Sequence, residues 1–592
     1  MCGIIGYIGN NAKNNIINSL KKLEYRGYDS SGIALLENNN LYIIKEKGYI
    51  ENMEKKASLL SNSFNIGIGH TRWATTGKVS KENSHPHSSQ DLSYTIVHNG
   101  IIDNYREIKQ ELSQKGYKFK SHTDSEVIAN LLQEYHKQTN SVIENIELIT
   151  KKLKGTYALA ILYTGDNEHI YVTKNEMPLF ITSNNEFSCV SSAVLGFPKQ
   201  TQSYIMLENK DIAKVSLNSA QVFNNAKKVE RKCYYISQNE TIAKKNNFKH
   251  FMLKEIFEIP SSLENTINIF NSIKSNQKQN ILNLFNKTKR IHLIGCGTAY
   301  HSCLVGEYIL RTLGYDTTSH IASEFKYFPP ILNPNSLCIF VSQSGETADT
   351  LGALKIANSY NVKTLAITNS KSSTLAHICD NYILLGAGPE IAVASTKAYN
   401  CQCLVFYLLK QLIIQKNTEI CINSLSINNI LQETKQIRRL AKSISSFGKV
   451  FFIGRGQDSL TAMEGSLKLK EVSYISSESY PAGELKHGTL ALIDKNSICI
   501  IILTHKSMID KVMNSIMEIH SRGGSVLIIT PFKELKDCNQ INYFYYLPIL
   551  EKEEFYPLIS VIPLQFIAYF TSVFKGNNPD KPRNLAKSVT VE

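Results

Sequence analysis

Three short segments in the second half of the chain recur at nearly constant spacing, and no other feature constrains the fold as strongly. HLIGCGTAY (292–300) matches FFIGRGQDS (451–459), SLCIFVSQS (336–344) matches SICIIILTH (497–505), and VKTLAITN (362–369) matches SVLIITP (525–531), at offsets of 159, 161 and about 162 residues. Three matches in one register mean two copies of one folding unit. Each piece is a β-branched, apolar run that ends in Gly, Ser or Thr and leads into a helix-like stretch, as over 298–313 and 350–360. Near-continuous apolar strands alternating with helices imply a parallel sheet covered on both faces, with ligands at the carboxyl ends of its strands. The spacing predicts two tandem doubly wound α/β domains, over 241–435 and 436–575, followed by a tail over 576–592.

The first 215 residues carry a different pattern of short alternating strands at 33–36, 41–45, 66–69, 94–98, 157–163 and 169–173, with few helices. Antiparallel sheets packed with helices are expected there, in a separate domain over 2–240. A Lys/Asn-rich polar stretch from about Asn224 to His250 reads as the linker. A chain of 592 residues exceeds one hydrophobic core, which agrees with this division.

Composition excludes several classes. The 12 cysteines form no CxxC pair and no Cys/His cluster at zinc spacing, so a reduced cytoplasm is expected and no metal site. Lysines and arginines total 65 against 51 acidic residues, yet the net charge of +14 is dispersed rather than gathered into basic runs interleaved with aromatics. Nucleic acid is therefore not an expected partner. No uninterrupted apolar stretch reaches the roughly 18 to 20 residues of a membrane span, and the N-terminus has no signal-peptide pattern.

The chemistry begins at Cys2, which becomes the first residue if Met1 is removed. A terminal cysteine carries its own α-amine, with a pKa of about 7.7 to 8, as a base for its thiol. Taken alone, Cys2 reads more readily as a small buried residue starting a strand. Its company is YRGYDSSG (25–32), GHTRWATTG (69–77), HPH (85–87), HNGIIDN (98–104) and TDSEV (123–127). In order and spacing these resemble the N-terminal-nucleophile glutaminase domain of amidotransferases, which implies a four-layer αββα fold in which Cys2 attacks the glutamine amide. Attack on an amide develops an oxyanion, for which the Asn99 side chain and the Gly100 backbone N–H are the expected donors. Glutamine binding is expected of Arg72, a fork for the α-carboxylate, and of Asp124, a partner for the α-ammonium, with Trp73, Thr75 and His85 beside them. Thr123 to Glu126 also reads as a plain capping box at a helix start. One departure is Thr76, where the family usually carries His.

In the second half, Ser342-Gln343-Ser344-Gly345-Glu346-Thr347 follows an apolar strand and precedes a helix, and its hydroxyls, amide and backbone N–H groups suit a phosphate monoester. GCGTAY (295–300) and VASTK (393–397) occupy equivalent loops. Cys296, Gly297, Thr298, Ser342, Gln343, Ser344, Thr347, Val393, Ala394 and Ser395 are the expected sugar-phosphate contacts. These motifs, with HFMLKEIFEIP (250–260), LKLKEVSYI (467–475), GELKHG (483–488) and PRNLAKSVTVE (582–592), resemble over essentially the whole chain the isomerizing glutamine–fructose-6-phosphate aminotransferase family. Ala299 departs from the Ser often found there.

The resemblance implies glutamine and fructose 6-phosphate as substrates, a homodimer and no redox cofactor. It assigns His487 to ring opening, Lys587 to a Schiff base with the ketose and Glu471 to proton transfer, with Lys468 nearby; Lys468 and Glu471 are three apart in an expected helix and share one face. The histidine loop is expected to enter the neighbouring subunit's site. Outside these motifs, Lys468 and Glu471 would read as a solvated ion pair and His487 as a surface histidine. Two other functions fit parts of the pattern. An amidotransferase with another acceptor would need a diphosphate loop, and a sugar-phosphate sensor would not need Cys2, Glu471 and Lys587 together.

Overall fold

The computed structural model describes residues 2–236, 244–286, 288–415, 420–422 and 426–589. They form two compact units, one of residues 2–236 with Ser588 and Val589, the other of the described residues from 244 to 587. The expected boundary at 240/241, the removal of Met1 and the last three residues of the C-terminal motif lie outside the described residues.

Three hydrophobic layers build the first unit. An eight-stranded sheet runs in the spatial order Cys233–Tyr235, Ser203–Met206, Phe180–Ser183, Phe187–Ser191, Gly3–Gly9, Ile66–Arg72, Ser30–Glu37, Asn40–Lys47. A seven-stranded sheet runs Lys227–Val229, Ser219–Asn224, Ile212–Ser216, Ile170–Asn175, Gly155–Tyr163, Tyr94–Ile102, His87–Ser88. Alternation along each strand sends successive side chains to opposite layers. Ile4, Ile8, Ala34 and Leu36 pack with Val97, Ala158 and Ala160 between the sheets. Ile5, Tyr7, Ile33 and Leu35 instead meet the helices Ala12–Leu23 and Ile50–Ala57. Ile96, Leu159 and Ile161 meet the helices Tyr105–Gln114, Glu126–His136 and Val142–Lys152. The result is the expected αββα stack.

Two expectations change here. The first unit holds five α-helices, not few; the Val142–Lys152 helix buries Val142, Ile146 and Ile149, a helical period that the strand pattern overshadowed. Part of the expected linker is ordered, because Lys227–Val229 and Cys233–Tyr235 pair into the two sheets.

The second unit contains the repeat. One five-stranded parallel sheet has the order Asp316–Ile321, Arg290–Gly295, Ser336–Ser342, Lys363–Thr368, Asn381–Leu384. The other is Ser477–Pro481, Lys449–Gly454, Ser497–Ile502, Ser525–Thr530, Tyr543–Tyr546, with the same topology. The three matched segments supply the same three strands in each copy. The match extends to backbone geometry: Gly297 (φ 52, ψ −124) and Gly456 (φ 57, ψ −128) precede the first helix of each copy, in a region that a side chain rarely enters. The expected limit at 435/436 falls inside the Thr434–Ile444 helix.

One continuous core joins the copies. Helices Lys397–Ile413 and Tyr556–Phe574 occupy matching positions after the last strand of each sheet. Gln565 donates to Thr396 O (3.3 Å) and Asn400 Oδ1 (3.2 Å), while Asn400 donates to Leu558 O (2.7 Å), a buried polar rung between them. Among the described residues only the stretch Glu553–Phe574 is long and apolar enough to cross a membrane, and 83% of its most apolar window is buried inside the unit, as befits a core helix.

Candidate active sites

In the first unit, strand Gly3–Gly9 pairs with Ile66–Arg72, which puts Cys2 beside the segment after Arg72. The Trp73 backbone N–H points at Cys2 Sγ from 3.2 Å. Burial pushes the Cys2 thiol up, against the pull of that N–H and the Arg72 guanidinium. Asn99 donates from Nδ2 to Cys2 O (3.1 Å). Its orientation is fixed from behind. His70 Nε2 lies 3.0 Å from His98 O, which can only accept, so this nitrogen carries the proton and also faces Asn99 Oδ1 at 3.1 Å. The amide nitrogen is thereby turned toward Cys2. Burial depresses His70 to about 3, so the ring is neutral and rigid. At Gly100, φ is +126° and an added Cβ would lie 2.0 Å from Thr156 O, so only glycine fits this strand.

Arg72 is 4% exposed. Its Nη2 donates to Thr76 O (2.5 Å), while Nη1 is buried with no hydrogen-bond partner among the described residues. Because the contact uses the Thr76 backbone, the residue that departs from the family pattern still supplies it. An unpaired buried guanidinium arm is costly and points to an anionic ligand. Asp124 accepts from Ile102 N (2.8 Å) and, with Asp29, lies close enough to Arg72 to offset its desolvation. Asp29 also accepts from Ala74 N (2.9 Å), fixing the turn that carries Trp73, whose ring meets Tyr28 edge-on at 5.4 Å. Thr75 is exposed.

The capping-box alternative for Thr123 to Glu126 does not hold. Ser125, the residue before the Glu126–His136 helix, makes no side-chain cap; its hydroxyl meets His98 Nδ1 (2.8 Å) and His85 Nε2 (3.3 Å). Glu126 reaches back to Lys120 N and Ser121 N, and Asp124 does not cap the helix. His85 Nδ1 accepts from His98 N (3.2 Å), so both ring nitrogens of His85 are engaged. His85 stacks on His70 at 4.1 Å and packs against His87 at 4.6 Å; all four buried histidines are held below the usual range, chiefly by burial.

In the second unit, Lys468 and Glu471 lie one turn apart in the Gln457–Ser473 helix, with Nζ and Oε2 2.6 Å apart. Lys468 is 1% exposed and also donates to Thr298 Oγ1 (2.9 Å). Glu464, fully buried one turn earlier, accepts from Thr298 Oγ1 (3.1 Å), meets His301 Nδ1 at 2.7 Å and lies 3.5 Å from Lys468. Burial raises Glu471, and Lys468 opposes it. Lys587, in the tail, is ordered and buried: Nζ donates to Glu390 Oε2 (2.5 Å) and Ser395 Oγ (3.2 Å). Burial would raise Glu390, but Lys587 and the Thr396 and Ala398 N–H groups prevail and hold it at about 2. The field of Lys587 reaches Glu471 and that of Glu390 reaches Lys468, so the two pairs form one cluster.

The loop after Ser336–Ser342 is pinned internally. Ser342 Oγ accepts from Gly345 N (3.1 Å) and faces Thr347 Oγ1 (3.2 Å); Glu346 anchors the loop to Thr374 through N (2.7 Å) and Oγ1 (2.9 Å). The second copy is built differently. Asp458, which replaces Ala299 in the repeat register, accepts from Thr504 N (2.9 Å) and Thr504 Oγ1 (2.6 Å), the counterpart of Gln343. A carboxylate at this position closes that loop, whereas Ala299 brings none to the first one. Burial pushes the Cys296 thiol to about 11; Ala394 is buried, and Val393 N donates to Asp580 O (3.0 Å).

His487 is not brought to this cluster. It ends a 3₁₀ turn before Gly488 (φ 149), is exposed, and makes no hydrogen bond or ion pair among the described residues. The sequence reading missed Asp29, His70, Glu390 and Glu464. Glu464 had a signal, four residues before Lys468 on the same helix; Glu390 had only its place just before VASTK.

Two active-site assemblies on these folds define the class: an N-terminal cysteine amidotransferase joined to a tandem sugar isomerase pair. Family models agree, with a glutamine amidotransferase domain matching 70–197 and SIS domains matching 284–411 and 443–573. The glutamine–fructose-6-phosphate aminotransferase (isomerizing) of Caldanaerobacter subterraneus subsp. tengcongensis is 39% identical over 617 residues, covering all of both chains. The enzyme of the same name from Staphylococcus aureus strain Mu50 is 39% identical over 607 residues, again covering both chains completely. A solved C-terminal domain of glucosamine-fructose-6-phosphate aminotransferase from Francisella tularensis is 32% identical with a TM-score of 0.53, covering 58% of this chain and 100% of that one. The chain belongs to the isomerizing glutamine–fructose-6-phosphate aminotransferase family.

Proposed function

We propose that the protein converts fructose 6-phosphate and glutamine to glucosamine 6-phosphate and glutamate, the entry step to amino sugars. The observation that carries this reading is the burial of Lys587 with Glu390 and Ser395 beside the Lys468–Glu471 pair, in a chain that also places Cys2 next to Asn99. A sensor needs no such cluster.

In the glutaminase step the Cys2 thiol attacks the amide carbon and its proton passes to the terminal α-amine, once Met1 is gone. The oxyanion is held by Asn99 Nδ2 and the Gly100 N–H, which cost no reorganisation at the moment of reaction. Ammonia leaves with the proton, and water hydrolyses the thioester to glutamate. Arg72 takes the α-carboxylate and Asp124 the α-ammonium; Trp73 and Thr75 border the ligand, and the His85 stack supports the wall behind it.

For the sugar, Ser342, Gln343, Ser344 and Thr347 hold the phosphate, with Cys296, Gly297 and Thr298 on the neighbouring loop and Val393, Ala394 and Ser395 opposite. The missing hydroxyl at Ala299 is consistent with that assignment, since its counterpart Asp458 would repel an anion. His487 opens the ring. The Lys587 amine adds to the C2 carbonyl and water departs, leaving an imine. Ammonia adds to that carbon and releases Lys587. Glu471 then takes a proton from C1 and returns it to C2, giving the 2-amino aldose, while Lys468 stabilises the charge.

The exposure of His487 and its lack of a partner among the described residues of its own chain favour a homodimer in which it serves the other subunit. Twelve free thiols favour the cytoplasm. Domain limits near 240, 435 and 575 fit this division of labour. Incubation with glutamine and fructose 6-phosphate should yield a hexosamine phosphate by mass. Cys2→Ala should abolish that product from glutamine yet retain synthesis from concentrated ammonia; equal loss of both activities would refute the two-site reading.

A further inference from the structure

The mechanism above leaves the buried acid Glu255 without a task. Glu255, on the Phe251–Phe257 helix, is 1% exposed. Its Oε1 accepts from Ile391 N (2.5 Å) and Ala392 N (3.2 Å), and its Oε2 is buried with no hydrogen-bond partner among the described residues. The loop it grips begins with Glu390, the partner of Lys587, and continues through Ser395. The same helix is tied to the tail, where Asp580 accepts from Phe251 N (2.9 Å) and Met252 N (2.8 Å). A buried carboxylate oxygen without a partner is a costly arrangement unless the group holds a proton.

We propose that Glu255 is a positioning residue for the Lys587 amine, acting through the Glu390 loop, and that the proton on Glu255 determines how firmly Lys587 is kept as an ammonium. The inference rests on the imine role given to Lys587 above. The charged groups that reach Glu255 are Glu390, Lys587 and Lys397, and Lys397 is paired with Glu258 at 2.9 Å. Burial, and then the charge of Glu390, push Glu255 up to about 8, with Lys587, the Ile391 N–H and Lys397 pulling down. Around neutral pH Glu255 is therefore mostly protonated, and Glu390 is the carboxylate paired directly with Lys587. Above about pH 8 Glu255 ionises and adds a further negative charge near the ammonium. The carboxyl sets an upper limit to the pH range in which Lys587 attacks a ketose.

The test is borohydride trapping of the Lys587–fructose 6-phosphate imine across pH in wild type and Glu255→Gln. Glutamine keeps an acceptor for Ile391 and Ala392 but cannot ionise. At about pH 7 the two proteins should trap at similar rates, and at about pH 9 the variant should trap about tenfold faster, which corresponds to about 1.4 kcal/mol less hold on the ammonium. A variant-to-wild-type ratio constant across pH, whether near one or uniformly low, overturns the proposal, because a purely structural role has no pH dependence. If wild type yields no adduct on Lys587 at any pH, the imine assignment itself fails. Should Glu255→Gln not fold, the protonated-carboxyl infrared band of Glu471→Gln protein carries the test; no buried carboxyl titrating between about pH 7 and 9 would overturn the proposal.

Discussion

Replacing Arg72 with lysine isolates the role of one buried hydrogen-bond donor. The guanidinium is 4% exposed, one arm is satisfied by Thr76 O at 2.5 Å, and the Nη1 arm has no partner among the described residues. Lysine keeps the positive charge but loses the planar fork, so it cannot hold the turn and a carboxylate at once. The loss is one charge-assisted hydrogen bond, about 1.5 to 3 kcal/mol, or roughly ten- to a hundredfold in kcat/KM for glutamine. Because the α-carboxylate is remote from the scissile amide, most of the change should appear in KM. Glutaminase kinetics with glutamine, and with an analogue whose α-carboxylate is amidated, separate the causes. Arg72→Lys should impair the first substrate and leave the second near its wild-type rate, with ammonia-dependent synthesis unaffected. Equal impairment of both substrates would show that Arg72 only braces the turn.

Two further outcomes follow from the buried ionic groups. Lys587→Arg should abolish both the borohydride-trapped adduct and aminosugar synthesis while glutaminase turnover persists, since guanidinium stays protonated; an adduct on Lys468 would show the two lysines exchanged. The four buried histidines of the first unit are all depressed, His70 to about 3, so the unfolded chain binds more protons than the folded one below about pH 6.5. Stability should therefore fall with pH from about 6.5 downward, by up to about 1.4 kcal/mol per histidine for each unit, and calorimetry showing a flat Tm from about pH 6.5 to 5 would contradict their neutral burial.

How much of this was legible in the sequence depends on distance along the chain. The repeat was, because each strand and the glycine turn after it are local: 292–300 and 451–459 become the same strand, turn and helix start in both sheets. Lys468 and Glu471 were, because three residues in a helix fix a contact. The helices of the first unit were obscured because their apolar periods, as at Val142, Ile146 and Ile149, lie between more conspicuous strands. The carboxyls that set the electrostatics were barely legible, Glu464 only through its place one turn before Lys468. Glu390 meets Lys587 across 197 positions and Glu464 meets Thr298 across 166; an isolated Glu in either segment looks like surface. The capping-box alternative was equally local and reasonable, and it lost to His98 and His85, which claim the Ser125 hydroxyl from another strand.

The same limits explain how a duplicated fold acquires a single sugar site. Both copies present a loop and a helix N-terminus after matched strands, and by backbone alone either would accept a phosphate. One register difference between them bears directly on anion binding. In the second copy the Asp458 carboxylate takes the Thr504 N–H and hydroxyl, filling with the protein's own negative charge the place where an anion would seek donors. In the first copy the corresponding residue is Ala299, and the Gly345 N–H and the Ser342 and Thr347 hydroxyls bond within their own loop. The second copy contributes the helix face that carries Glu464, Lys468 and Glu471, and this face meets Thr298 and His301 of the first. Exchanging the two residues tests this division directly: Ala299→Asp should weaken fructose 6-phosphate binding by placing a carboxylate in the phosphate loop, while leaving glutamine hydrolysis by Cys2 intact. Unchanged sugar-phosphate affinity in that variant would mean that the phosphate is held elsewhere.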